Sequence, residues 1–208
     1  MGYKDFPSVA HWLVAWFGNL KEDELTFLKL CVKQYLPAKK RFDDIIVVNI
    51  GAGSGTSTIA MLETREDLMV FSVDRETNKD EAITNEHLRL QETGLDKTGR
   101  VVRIWGDSKY VGLRFPIQPD ILFVDGDHRT AGVVADIETW HNAVVKGGLI
   151  FFHDYDSELW GEVKAVVDRY EEWGCSKRVD VVNHLICFEK ISDLIINPYP
   201  DVASTGDQ

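Results

Sequence analysis

The run Val47-Val48-Asn49-Ile50-Gly51-Ala52-Gly53-Ser54-Gly55-Thr56-Ser57-Thr58 narrows the choice of fold more than any other segment. An apolar, β-branched strand runs into three glycines at alternate positions, and a helix then begins. Glycines there let the backbone turn sharply and let a ligand approach where any Cβ would collide. The free N–H groups of the following helix point at the same spot. The segment reads as a nucleotide-cofactor loop, with a plain tight turn as the alternative. A dinucleotide fingerprint would place its third glycine at position 56, which is Thr56; here the third is Gly55.

Strands and helices alternate beyond this loop. Strands are predicted at 45–50, 69–73, 101–105, 120–125 and 148–153, and helices at about 56–65, 79–93, 130–145 and 158–172. Nearly continuous apolar strands such as Ile121-Leu122-Phe123-Val124 imply a parallel sheet covered on both faces. Two further runs, Arg178 to Val182 and Leu185 to Phe188, are joined only by Asn183-His184, so they pair antiparallel. The expected fold is a doubly wound α/β domain whose seven-stranded, mostly parallel sheet ends in an antiparallel C-terminal hairpin. Two helices, 8–18 and 22–36, precede it. Residues 1–43 are expected to form a helical lid or oligomerisation element, 44–191 the main domain, and 192–208 a flexible tail.

A chain of 208 residues suits one domain. Its formal charge of −11 argues against a nucleic-acid partner, since phosphate neutralisation needs clustered Lys and Arg. The one short basic run, Lys39-Lys40-Arg41, is followed at once by Asp43-Asp44. Cys31, Cys175 and Cys187 are odd in number and widely spaced, which suits reduced thiols in a cytoplasmic chain. No run approaches the ~18 apolar residues that cross a bilayer, and no signal peptide or membrane association is expected.

The Gly51-x-Gly53-x-Gly55 spacing, with Asp74 ending the next strand, resembles the class I S-adenosylmethionine-dependent methyltransferases. Trp105-Gly106-Asp107-Ser108, Val124-Asp125-Gly126-Asp127-His128 and Gly147-Gly148-Leu149-Ile150-Phe151-Phe152-His153-Asp154 extend the likeness. They are similar to a metal-dependent branch, the macrocin and mycinamicin sugar O-methyltransferases, over roughly residues 44–190. The resemblance implies S-adenosylmethionine as cofactor, with Gly51, Gly53, Ser54 and Gly55 around its methionine part. Asp74 would accept from the ribose hydroxyls and Asp107 from the adenine amine, with Ser108 as a neighbouring donor. Each of these acids would also suit a helix or turn cap.

A divalent ion is implied as well, Mg²⁺ or Mn²⁺, on Asp125, His153 and Asp154 at the ends of the fourth and fifth strands. The family commonly has an acid where this chain has His153, and imidazole favours softer ions than Mg²⁺. Metal identity is thus open, and His153 is either a ligand or a group behind the ligands. His128 stands at the offset of the proposed base in mycinamicin-type enzymes, and Asp127 is the alternative base. The implied reaction carries a methyl group to a hydroxyl of a small molecule, a sugar or polyhydroxylated metabolite, in one in-line displacement. A nucleotide-cofactor oxidoreductase or epimerase, and a cofactor-binding module without turnover, are the rival readings. Trp12, Trp16 and Phe17 in the first helix are read as a lid over the acceptor or a homo-oligomer surface, with packing of that helix against the sheet as an equal alternative. His11, His87, His141 and His184 receive no role.

Overall fold

The computed structural model describes residues 8, 20–37, 43–75 and 86–194. The helix predicted over 8–18, with Trp12, Trp16 and Phe17, lies outside the described residues, as do the start of the 79–93 helix and the chain beyond 194.

Helix α1 (Glu22–Gln34) opens with Glu22, Asp23 and Glu24, acids that suit the positive end of a helix dipole. Leu25, Leu28 and Val32 recur at helical spacing and are fully buried. Strand β1 (Ile45–Ile50) is buried throughout. It leads through the glycine loop into α2 (Thr56–Leu62), β2 (Leu68–Asp74), α3 (Glu86–Thr93), a 3-10 turn at Leu95–Thr98 and β3 (Val101–Trp105). Then follow α4 (Ser108–Gly112), β4 (Ile121–Val124), α5 (Thr130–Trp140), β5 (Leu149–Phe152), α6 (Gly161–Glu172), β6 (Ser176–Val182) and β7 (Leu185–Lys190).

The seven strands form one sheet in the order β3-β2-β1-β4-β5-β7-β6. All neighbours are parallel except β7, which runs antiparallel to both β5 and β6. The expected architecture is therefore the observed one. Alternate strand residues feed two cores, because successive side chains point to opposite faces. Val47, Phe123 and Phe151 join α1 and α2 on one face. Val48, Leu122 and Ile150 meet Ile137, Trp140, Val163 and Tyr170 of α5 and α6 on the other.

The differences from expectation lie at element ends. The 130–145 helix stops at Trp140, and the chain then turns so that Val145 N–H bonds Pro119 and Gly148 N–H bonds Val145 before entering β5. Helix α4 and the 3-10 turn were not predicted, being too short for a periodic signal.

Candidate active site

The sheet order makes β1 and β4 neighbours at the point where the chain reverses its winding, and ligands of open α/β sheets bind beyond the carboxyl ends of strands there. The glycine loop sits at that edge. Gly51 has φ +76°, and a Cβ on it would lie 1.9 Å from the Asp125 carbonyl oxygen. Its smallness therefore lets the loop lie against the end of β4. Gly53 donates its N–H to Asp74 Oδ2 at 2.9 Å, which ties the loop to the end of β2. Gly55, at φ +84°, precedes α2 in the left-handed region.

Beneath the loop, Glu86 is almost fully buried and accepts from the hydroxyl of Ser72, 2.7 Å, and from Arg103 Nε, 3.0 Å. Asn49 Nδ2 reaches the Ser57 and Thr58 hydroxyls at 3.0 and 2.7 Å. These satisfied buried polar groups hold the loop on its strand and helix.

A cleft of about 420 Å³ opens in front of the loop, walled by Gly51, Gly53, Asp74, Asp107, Ser108 and Asp125 among others. That volume is in the range of small-molecule and cofactor sites, ~300–1,000 Å³. Asp107 caps α4 by accepting from Lys109 N at 3.0 Å. Its other oxygen lies 3.5 Å from Arg75, whose guanidinium also stands 3.8 Å from Asp127 across the cleft. Ser108 directs its hydroxyl to Asp136, a nearly buried acid on α5 that lines the same cleft. Burial pushes the Asp136 carboxyl up to about 6; the Ser108 hydroxyl opposes the rise, and nearby Asp107 and Asp127 add to it.

The second centre abuts the cleft. Parallel register pairs Val124 with Phe152, so the next residues, Asp125 and His153, are neighbours. His153 Nδ1 lies 3.2 Å from Asp125 Oδ1 and 3.4 Å from Asp154 Oδ2. His128 Nε2 lies 2.8 Å from Asp154 Oδ2 and 3.4 Å from Asp125 Oδ1. Ligand atoms of Asp125, His128 and Asp154 all fall within 4.8 Å of one another. Asp154 holds φ +56°, a backbone state that Asp tolerates better than most residues and that turns its carboxyl back toward β4.

Hydrogen bonds donated to Asp125 and Asp154 outweigh burial and push His128 up to about 9. Burial works against a charge on His153, yet Asp125, Asp154 and Glu24 push it up to about 12. Burial would raise Asp154, but His128 and His153 carry it below the usual carboxylate range. Asp127 points elsewhere: hydrogen bonds from Arg129, with Nε 2.9 Å from Oδ1, hold its carboxyl at about 2. His128 also stacks on Trp160, centroids 4.6 Å apart and planes inclined by 19°.

Asp125 and Asp154, with His128 on one side and His153 Nδ1 on the other, are a donor set for a divalent ion. Cis ligands ~2.1 Å from an octahedral ion stand roughly 3 Å apart, near the separations found here. The residues therefore fit such an ion. Glu24, Arg75, Asp136 and Trp160 belong to this region without having been singled out in the sequence. Glu24 reads there as a helix-start acid and Asp136 as the polar face of a helix.

A seven-stranded sheet of this order, with a glycine loop after β1 and acids beyond β2, β4 and β5, defines a class I methyltransferase fold. Solved structures of the same shape include the O-methyltransferase NovP, 16% identical, with TM-score 0.61 over 82% of this chain and 81% of that one. Cofactor-bound Rv0187 from MTB is 15% identical, with TM-score 0.66 over 89% of each chain. A methyltransferase from Geobacter sulfurreducens is 17% identical, with TM-score 0.58 over 88% and 87%. Residues 48–155 match the methyltransferase-domain family, and the chain belongs to that family. An uncharacterized protein of Acanthamoeba polyphaga mimivirus is 30% identical over 124 residues, 57% of this chain; the chain spans about half, 55%, of that relative. Among the described residues no helix is long and apolar enough to cross a membrane.

Proposed function

We propose that the chain is an S-adenosylmethionine-dependent O-methyltransferase that acts on a hydroxyl of a small molecule with the help of a divalent ion. One observation carries this reading: Asp125 walls the cofactor cleft and also faces the His128, His153 and Asp154 cluster. A methyl donor in the cleft and an acceptor at the cluster would then meet across a single residue.

In this reading Asp74 takes the ribose hydroxyls, and Ser108 with Asp107 or Asp136 faces the adenine. Asp125, Asp154 and His153 Nδ1 hold the ion, which supplies Lewis acidity that lowers the pKa of an acceptor hydroxyl. His128 is the more accessible imidazole; once an ion neutralised Asp125 and Asp154, the carboxylates that otherwise keep it protonated, it would be free to receive the acceptor proton. The acceptor oxygen bonds to the methyl carbon as the carbon–sulfur bond breaks, and its electron pair stays on sulfur to leave S-adenosylhomocysteine. Asp127, paired with Arg129, is too weak a base for this step. The compactness of Asp125, His128 and Asp154 favours a second arrangement, in which His128 is itself a ligand.

Titration calorimetry of the chelator-treated protein with S-adenosylhomocysteine, with and without Mn²⁺, tests the reading. Micromolar binding supports it, and a panel of hydroxylated and amino acceptors with labelled S-adenosylmethionine then tests O-transfer. No binding in either condition overturns it. His128→Asn separates the two arrangements: as a base its loss spares Mn²⁺ affinity, and as a ligand it does not.

A further inference from the structure

We infer that Glu24 of α1 is a positioning residue for the metal centre, holding His153 by its Nε2 so that Nδ1 is presented between Asp125 and Asp154. The inference rests on the metal reading proposed above. Glu24 lies outside the segment that matches the family and 129 residues from His153 in sequence.

Glu24 is 1% exposed. Its Oε1 accepts from His184 N at 2.8 Å, and its Oε2 accepts from Lys21 N at 2.7 Å and stands 3.4 Å from His153 Nε2. Capping the first turn of α1 through Lys21 needs no burial, because capping carboxylates work from the surface. Sinking a carboxylate into the interior carries a desolvation cost that a cap alone does not offset.

The side chain within reach of Glu24 is His153, itself 7% exposed and wedged between this acid and the two aspartates. Lys21, the nearby cation, turns its Nζ to His184 Nε2 at 2.8 Å instead. Without an ion, carboxylates flank both ring nitrogens; when an ion replaces the Nδ1 proton that Asp125 and Asp154 otherwise accept, the Glu24 acceptor keeps the remaining proton on Nε2 and leaves the Nδ1 lone pair for the ion. Imidazoles that bind metals are oriented in this way by a carboxylate behind them. Glu24 thereby also couples the docking of α1 and of the β6–β7 turn, through His184, to the geometry of the metal centre.

Glu24→Gln keeps one oxygen, enough for only one of the Lys21 and His184 N–H groups that the two carboxylate oxygens now serve, and removes the charge behind His153. Calorimetric Mn²⁺ titration of the chelator-stripped full chain should show affinity ~10–100-fold below wild type. S-adenosylhomocysteine affinity should stay within about twofold, and the metal-free protein should still melt cooperatively, roughly 2–10 °C below wild type for the one buried N–H group left without its oxygen. Unchanged Mn²⁺ affinity in this variant, beside a binding wild type, overturns the inference and leaves the metal reading standing. A wild-type chain that takes up no Mn²⁺ overturns the metal reading itself. A measurement on the wild type covers a variant that fails to fold: ¹⁵N spectra of the Zn²⁺-loaded protein should show His153 protonated at Nε2. Protonation at Nδ1 overturns the inference.

Discussion

His128 Nε2 stands 2.8 Å from Asp154 Oδ2, which joins the loop after β4 to the second residue beyond β5. Asn adopts the left-handed backbone of Asp154 as readily as Asp does. Asp154→Asn should therefore fold, lose Mn²⁺ binding by ~10-fold or more and lose turnover by roughly 10²–10⁴-fold. S-adenosylhomocysteine affinity should change by no more than a few-fold. Calorimetry and a single-turnover assay check both arms, and full activity in excess chelator would remove the metal from the mechanism.

Asp74 both anchors the glycine loop, through Gly53 N, and faces the cleft. Asp74→Ala should weaken S-adenosylhomocysteine binding by roughly 10–100-fold, about the 1.5–3 kcal/mol of a hydrogen bond to a charged group. Mn²⁺ affinity measured on the same sample should not move.

Gly51 and Gly99 have nearly the same backbone, φ +76° and +70°, but different surroundings. A Cβ at Gly51 would lie 1.9 Å from the Asp125 carbonyl, whereas none of its non-neighbouring atoms would come within 4 Å of a Cβ at Gly99. Gly99→Ala should cost about 1 kcal/mol in denaturant titration, the strain of the left-handed region alone. Gly51→Ala should cost roughly 4 kcal/mol or fail to fold, because backbone must move.

Trp160 stacks on His128 and is 43% exposed, so one face of the indole holds the imidazole while the rest is open to solvent. Trp160→Ala should raise acceptor KM by about 10-fold, the scale of a lost aromatic contact. S-adenosylhomocysteine affinity should be unaltered. An unchanged acceptor KM would place the acceptor elsewhere.

Asp136 gives the pH dependence. Its carboxyl rises from an ordinary 3.8 to about 6, so the folded protein holds this proton more tightly than the unfolded chain does. The stability contributed by the protonated form is complete below about 3.8 and is lost as pH rises through about 6. The full difference corresponds to roughly 3 kcal/mol. Asp136→Asn should melt like wild type near pH 4 and about 5 °C or more above it at pH 7.5. Parallel melting curves at both pH values would contradict the raised carboxyl.

The strands were legible because each is a short apolar run bounded by turn residues, and a buried parallel strand needs little else. The positions of Asp125 and Asp154 were legible for a related reason: an acid one or two residues after such a run sits at a strand end. Helix ends were less so. Beyond Trp140 the chain is tied by a hydrogen bond from Val145 N–H to the Pro119 carbonyl, just ahead of β4, that no local pattern encodes. Asp107 has the simplest local explanation, since it caps α4, a helix too short to announce itself. Asp127 and His128 stand two and three residues beyond Asp125 in sequence, and the structure separates them: Arg129 takes the first, and Asp154 with Trp160 holds the second.

By itself the sequence determined the alternation of strands and helices, the glycine loop and the acids that end β2, β4 and β5, because these follow from local periodicity and backbone freedom. Only the tertiary structure decided that Glu24 lies behind His153, that Asp136 forms part of the cleft wall and that Asp125 serves both the cleft and the cluster. Such relationships arise from sheet order and helix docking, which bring together side chains far apart in the chain and remove them from water. Burial then sets their charge states, and no residue's own neighbours in sequence carry that information.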